Sequence, residues 1–155
     1  NMLAHYDAAA AIRGGEDYPE ITGTVGFCKG NGGTWVDAVI DGLPPFQAAT
    51  ETTPQIGPHG FHIHEGGDCG GTAFSDAEGH WNPDGQPHGN HKGDFPMLFS
   101  NHGKARMLFF TDRFLPEDVI GKTVIIHASP DDDKTQPAGG SGMRIACGVI
   151  LAANG

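Results

Sequence analysis

Glycine and proline interrupt this chain so often that a long helix has nowhere to form. Together they occupy 36 of its 155 positions, 25 as Gly and 11 as Pro. Inside a helix each Gly costs about 1 kcal/mol and each Pro about 3 kcal/mol. A helical bundle and a coiled coil are therefore excluded. The glycines show no period of three, which excludes a collagen-like helix. Between the breakers lie short runs rich in β-forming residues, at 8–13, 21–28, 34–40, 61–65, 97–100, 104–111, 122–128 and 143–152. Turn clusters separate them, among them Gly14-Gly15, the Gly-rich stretch 30–33 and Asn101-His102-Gly103. Eight short strands with turn signals between them predict an all-β sandwich or barrel. A chain of 155 residues fits one domain, expected here over 1–155. Three connections, 43–58, 66–95 and 129–142, are too long for hairpin loops. Ordered loops of that length usually carry function.

The charge balance narrows the function. Nine Lys and Arg stand against 19 Asp and Glu, a formal net charge of −10. Such a chain lacks the cations that neutralise a phosphate backbone, so no nucleic-acid partner is expected. Nor does it suit an anionic membrane surface. No apolar run reaches the roughly 18–20 residues of a membrane span. Nine histidines in a chain this size point to a metal or to proton chemistry.

His62-Ile63-His64 lies on a predicted strand. Residues i and i+2 of a strand share a face, so both imidazoles can reach one metal ion. Phe61, Ile63 and Glu65 then point to the other face. A pair of exposed strand histidines fits this motif equally well. A second cluster, His80, His88, His91 and Asp94, falls in a Gly-rich loop and supplies donors sufficient for a tetrahedral Zn²⁺. The alternative there is a polar, His-rich loop without an ion. His127 ends the apolar run 123–127 and shares a face with Ile125.

Taken in order, six segments resemble the Cu,Zn superoxide dismutase family, in its compact bacterial form, over nearly the whole chain. They are Gly60-Phe61-His62-Ile63-His64-Glu65, Gly79-His80-Trp81-Asn82-Pro83, Pro87-His88-Gly89, His91-Lys92-Gly93-Asp94, Val124-Ile125-Ile126-His127-Ala128 and Arg144-Ile145-Ala146-Cys147-Gly148-Val149-Ile150. The resemblance implies an eight-stranded, immunoglobulin-like Greek-key barrel with long metal-binding loops. It implies an antioxidant oxidoreductase that converts superoxide to O2 and H2O2 through the Cu²⁺/Cu⁺ couple. His62, His64, His80 and His127 match the copper ligands. His80, His88, His91 and Asp94 match the zinc ligands, so His80 bridges the two metals. Asp131 matches a carboxylate that hydrogen-bonds one histidine of each set, here His62 and His88. Arg144 matches the arginine that holds the anionic substrate, and Arg144 with His80 forms the expected catalytic pair.

The resemblance also pairs Cys69 with Cys147 in a disulfide, the alternative being two buried thiols. Cys28 has no counterpart in it and is read as a thiol with no role. His59 is read as structural, His5 as part of a tail and His102 as a turn residue. Asp132 and Asp133 are read as solvated loop charges, and Lys92 and Lys134 as weaker contributors to steering the substrate. Asn1 in place of an initiator Met reads as a trimmed or mature form. The disulfide predicts an extracytoplasmic protein: periplasmic, cell-surface or secreted. A homodimer is left open. The main rival is a non-enzymatic copper- and zinc-binding domain of the same fold. A cupin-type barrel is disfavoured, because its H-x-H is followed by a Glu several residues on and Glu65 is adjacent to His64.

Overall fold

The structure, a computed structural model, describes residues 5–153. Seven antiparallel strands form one curled sheet: β1 (Ala8–Gly14), β2 (Thr22–Gly30), β3 (Gly33–Asp41), β4 (Phe61–His64), β5 (Ala105–Thr111), β6 (Thr123–His127) and β7 (Arg144–Ala152). Their order is β4-β6-β7-β1-β2-β3-β5. The chain crosses from one end of the sheet to the other after β3, after β4 and after β5. The first two crossings contain the long connections 43–58 and 66–95 seen in the sequence, whereas the third long connection, 129–142, joins the neighbours β6 and β7. The crossings carry two short helical turns, Thr72–Ala77 and Pro116–Val119, which the sequence reading did not anticipate.

Period-two burial sets which face of each strand turns inward. On β3, Val36, Ala38 and Ile40 are fully buried, while Trp35, Asp37 and Val39 between them are half-buried. Ala8, Ala10 and Ile12 of β1 meet them, and Phe27 fills the space that the small alanines leave. Strand β6 is different, since all five of its residues are buried. Val124 and Ile126 face the main core with Phe61 and Ile63. Ile125, on the opposite face, packs with Ala77, Cys147, Cys69 and Phe74 in a second, smaller cluster. The loop after β4 therefore covers the outside of the sheet at this end. That is why β6 reads as a continuous apolar run rather than an alternating one.

The count is seven strands rather than eight because 97–100 is not one. Its region does run beside β4, with Phe95 donating to the Phe61 carbonyl and His59 exchanging both backbone hydrogen bonds with Leu98. Between these contacts two residues advance on one side and three on the other, and Pro96 has no N–H to donate. The extra residue and the missing donor break the ladder. The predicted turn after it is present: Asn101 and Lys104 bridge, with His102 and Gly103 both at positive φ, 52° and 80°. Two central residues at positive φ are the tight two-residue reversal that antiparallel strands favour.

Candidate metal centre

His62 pairs with Ile125 and His64 with Thr123 across β4 and β6, so both imidazoles emerge on the outer face, away from the main core. A register shift between Ile126 and His127 turns the end of β6 toward the same place. Along the other edge of β4 the loop returns: His64 bridges His80 and His62 bridges Asp94. Three chain segments far apart in sequence thus deliver their side chains to one pit in the outer surface of the sheet.

Two histidine-rich donor groups result, with His88, Asp131 and Asp133 forming a third, mainly acidic one. The ring nitrogens of His62, His64, His80 and His127 lie within 4.8 Å of one another, as do donor atoms of His62, His80, His88 and Asp94. That second group holds His62 where the sequence reading expected His91; around Asp94, His80 Nδ1 is 3.3 Å from Oδ1, His88 Nδ1 is 3.3 Å from Oδ2, and His91 Nδ1 is 3.4 Å from Oδ1. His91 Nδ1 lies 3.1 Å from His80 Nδ1. The edge of a tetrahedron is about 1.6 times its centre-to-corner length, so Zn–N bonds of about 2.0–2.1 Å demand edges of roughly 3.3 Å. The four separations are of that size, with His80 and His91 facing one oxygen of Asp94 and His88 the other.

In His62, His64, His88 and His127 the ring nitrogen opposite the donor is already occupied, which fixes their tautomers. His62 Nε2–H donates to Asp131 Oδ2 at 2.5 Å and His88 Nε2–H to Asp131 Oδ1 at 2.7 Å. His64 Nδ1–H donates to the Glu78 carbonyl at 2.7 Å and His127 Nδ1–H to the Gly142 carbonyl at 3.0 Å. What remains is His62 Nδ1, His64 Nε2, His80 Nε2, His127 Nε2, His88 Nδ1 and Asp94 Oδ1. Each is buried without a hydrogen-bond partner. Orphaned buried polar atoms are rare, and six converging here fit cations. Among the described residues His59 Nε2 is the other orphan, and its Nδ1 holds the carbonyls of His127 and Ala128.

Burial keeps the histidines neutral and ready to bind. It pushes His62 down to about 4, with the neighbouring His80 adding to the shift and the Asp131 hydrogen bond opposing it. It pushes His64 to about 2 and His127 to about 3. Burial works against the charge of Asp94, but the facing His80, the nearby His88 and hydrogen bonds from the amides of Gly89 and His91 hold it at about 2. Asp131 is likewise held well below the usual carboxylate range by His62 and His88.

A cavity of about 470 Å³ opens over His64, His80 and His127, and Arg144 and Gln136 also line it. Arg144 donates from Nη1 to the Phe74 carbonyl at 2.9 Å and from Nη2 to the Glu78 carbonyl at 2.6 Å. The disulfide Cys69–Cys147 ties the loop that carries these carbonyls to β7, three residues beyond Arg144. Lys92 stands 3.8 Å from Asp84, whose carboxylate offsets its charge, while Lys134 is exposed.

The copper/zinc superoxide dismutase family model matches residues 21–150. The chain belongs to this family. The Cu-Zn superoxide dismutase of Deinococcus radiodurans is 38% identical over 87% of this chain and 80% of its own. The Cu-Zn superoxide dismutase 2 of Aquifex aeolicus is 34% identical over 84% and 80%. The Cu/Zn superoxide dismutase of Brucella abortus superposes with a TM-score of 0.73, at 25% identity, over 92% of this chain and 98% of its own. Copper and zinc are the metals of this superoxide dismutase family, and the two donor groups are of the kind that holds them. The sequence reading missed the partners that orient the ligands: the carbonyls of Phe74, Glu78 and Gly142, the Gln136 amide and Arg113, whose Nη1 donates to the His91 carbonyl at 2.7 Å. Backbone carbonyls have no residue signature, and a lone Gln or Arg forms no motif.

Proposed function

We propose that this protein is a superoxide dismutase, with copper held by His62, His64, His80 and His127 and zinc by His80, His88, His91 and Asp94. The observation that carries the reading is His80: its Nδ1 faces His91 and Asp94 while its Nε2 stands orphaned beside the other three histidines. Bound copper supplies a one-electron couple and bound zinc a fixed positive charge without redox chemistry. The residues supply the rest. Arg144, pinned by two carbonyls at the cavity wall, attracts and orients the superoxide anion. His80 Nε2 is the atom that takes up a proton and delivers it toward peroxide. The contacts on Nδ1 keep that ring from turning away between events. Asp131 fixes the rings of His62 and His88 at once. Two superoxide anions and two protons give one O2 and one H2O2. A domain that only bound metal would need no cavity lined by both His80 and an arginine. The test is superoxide decay followed directly on protein loaded with copper and zinc: catalytic decay is expected, and stoichiometric consumption alone would favour the metal-binding rival.

The reading extends to place and assembly. Residues 1–155 act as one domain. The Cys69–Cys147 bridge supports an extracytoplasmic location, since disulfides persist in oxidising compartments. Thiol titration of the denatured, unreduced protein from its native host should find one thiol per chain. A homodimer is included, and sedimentation should show twice the 16.2 kDa of the chain.

A further inference from the structure

His88 is gripped twice by the same loop, 129–142. Its ring donates to Asp131, and its backbone N–H donates to Gln136 Oε1 at 2.8 Å. Gln136 turns its other end back, Nε2 donating to the Lys134 carbonyl at 2.8 Å. The two contacts fix the amide orientation: carbonyl toward an N–H, NH₂ toward a C=O. A carboxylate or a hydrocarbon in its place loses one or both. The two loops also touch beside this point. A Cβ on Gly89 would stand 2.2 Å from the Asp133 carbonyl oxygen, and Gly89 sits at φ 96°.

Beyond His88 the connection continues. Asp131, which takes the His88 ring on Oδ1, takes His62 on Oδ2. Gln136 therefore stands at the outer end of a line of contacts that reaches a histidine of each donor group. Its side chain is also at the rim of the cavity that holds Arg144. We propose that Gln136 is a positioning residue: it clamps the His88 backbone so that Nδ1 stays aimed at the zinc position, and it does so with a neutral side chain, so that the cavity rim carries no added negative charge. This rests on the zinc assignment proposed above. The clamp is a single hydrogen bond on a ligand's backbone. Partners of ligands are commonly worth about 10–100-fold in metal affinity, and this one belongs at the lower end.

The test uses cobalt(II) as a spectroscopic stand-in at the zinc position. Gln136→Ala is expected to lower cobalt and zinc retention against a competing chelator by roughly 5- to 10-fold and to change the visible absorption of the bound cobalt. Gln136→Glu keeps an acceptor for the His88 N–H but loses the donor to Lys134 and adds a charge. It is expected to restore most of the metal retention while lowering the superoxide rate, most strongly at low salt. A Gln136→Ala protein with the native affinity and cobalt spectrum overturns the clamp and leaves the zinc assignment standing. So does a Gln136→Glu protein that retains metal no better than Gln136→Ala. Native protein that takes up neither cobalt nor zinc overturns the zinc assignment, and the clamp with it.

Discussion

Arg144 alone carries a permanent positive charge among the described residues that line the cavity beside His80. Everything else there is neutral or titrates. Arg144→Glu reverses that charge and also removes the donors to the Phe74 and Glu78 carbonyls. None of the histidines proposed to hold copper is touched, so copper content should be unchanged while the catalytic rate constant falls roughly 10- to 100-fold. Metal analysis and superoxide decay on the same sample check this, and an undiminished rate with copper fully bound removes Arg144 from the substrate's path. The histidines yield a second prediction. In the metal-free protein His62, His64 and His127 sit at about 4, 2 and 3, below the roughly 6.5 of an unfolded chain. Below pH 6.5 the unfolded state therefore binds more protons than the folded one, and stability must fall as pH falls. Asp94, at about 2 against the usual 3.8, adds to the loss between those values. Denaturant midpoints of the metal-free protein should be level near pH 7–8 and drop steadily below about 6.5. A midpoint that rises on acidification would contradict neutral buried histidines.

At the scale of elements, the site depends on how the loop after β4 is tied down. That loop returns along the edge of β4, covers Ile125, and presents the Phe74 and Glu78 carbonyls to Arg144. The turn that carries Phe74 is held in a costly form: Ala73 and Phe74 lie in the left-handed region at φ 52° and 59°. Surroundings must impose such a conformation on two consecutive non-glycine residues. The bridge from Cys69 to Cys147 closes a span of 78 residues on the same loop. On the chain-entropy account a closure of that length is worth about 4 kcal/mol. The double variant Cys69→Ser, Cys147→Ser should lose about that much stability. Its superoxide rate should fall even where it remains folded, because the Arg144 carbonyl partners are no longer fixed. Chemical denaturation and kinetics below the unfolding transition separate the two effects, and a folded variant with the native rate would detach the loop from Arg144.

The whole molecule works against its own substrate. A formal charge of −10 repels an anion at long range, while the charge of Arg144 at the cavity, in the role proposed for it, attracts one at short range. Salt distinguishes the two. The Debye length shrinks from about 30 Å at 0.01 M to about 8 Å at 0.15 M. Screening at 8 Å removes most of the distant repulsion and part of the local attraction. The cavity lies closer to Arg144 than to most carboxylates, and Lys92 is largely offset by Asp84. The rate is therefore expected to fall as salt rises. Rate constants measured across that range check it, and a rise with salt would show that global repulsion governs.

Much of this protein is local and was legible without coordinates. Strand alternation places His62 and His64 on one face because the strand period is two, whatever the strand packs against. The breakers place the turns for the same reason, since a left-handed φ or a missing N–H is a property of the residue itself. The order of the six His, Asp and Arg segments carried the family. Other features depend on distant parts of the chain meeting. The stretch 97–100 has the composition of a strand, but Pro96 and the extra residue opposite β4 are costly only once β4 lies beside them. That Ile125 is buried beneath the loop rather than exposed is decided by the chain crossing back over β6. Which nitrogen of His62, His64, His88 and His127 points inward is decided by Asp131, Glu78 and Gly142, up to 69 residues away. Gln136 has no recognisable pattern, and its role exists only because tertiary folding brings the His88 N–H within 2.8 Å of it. Hydrogen bonds act over about 3 Å of space, and sequence spacing specifies that distance only within a single element.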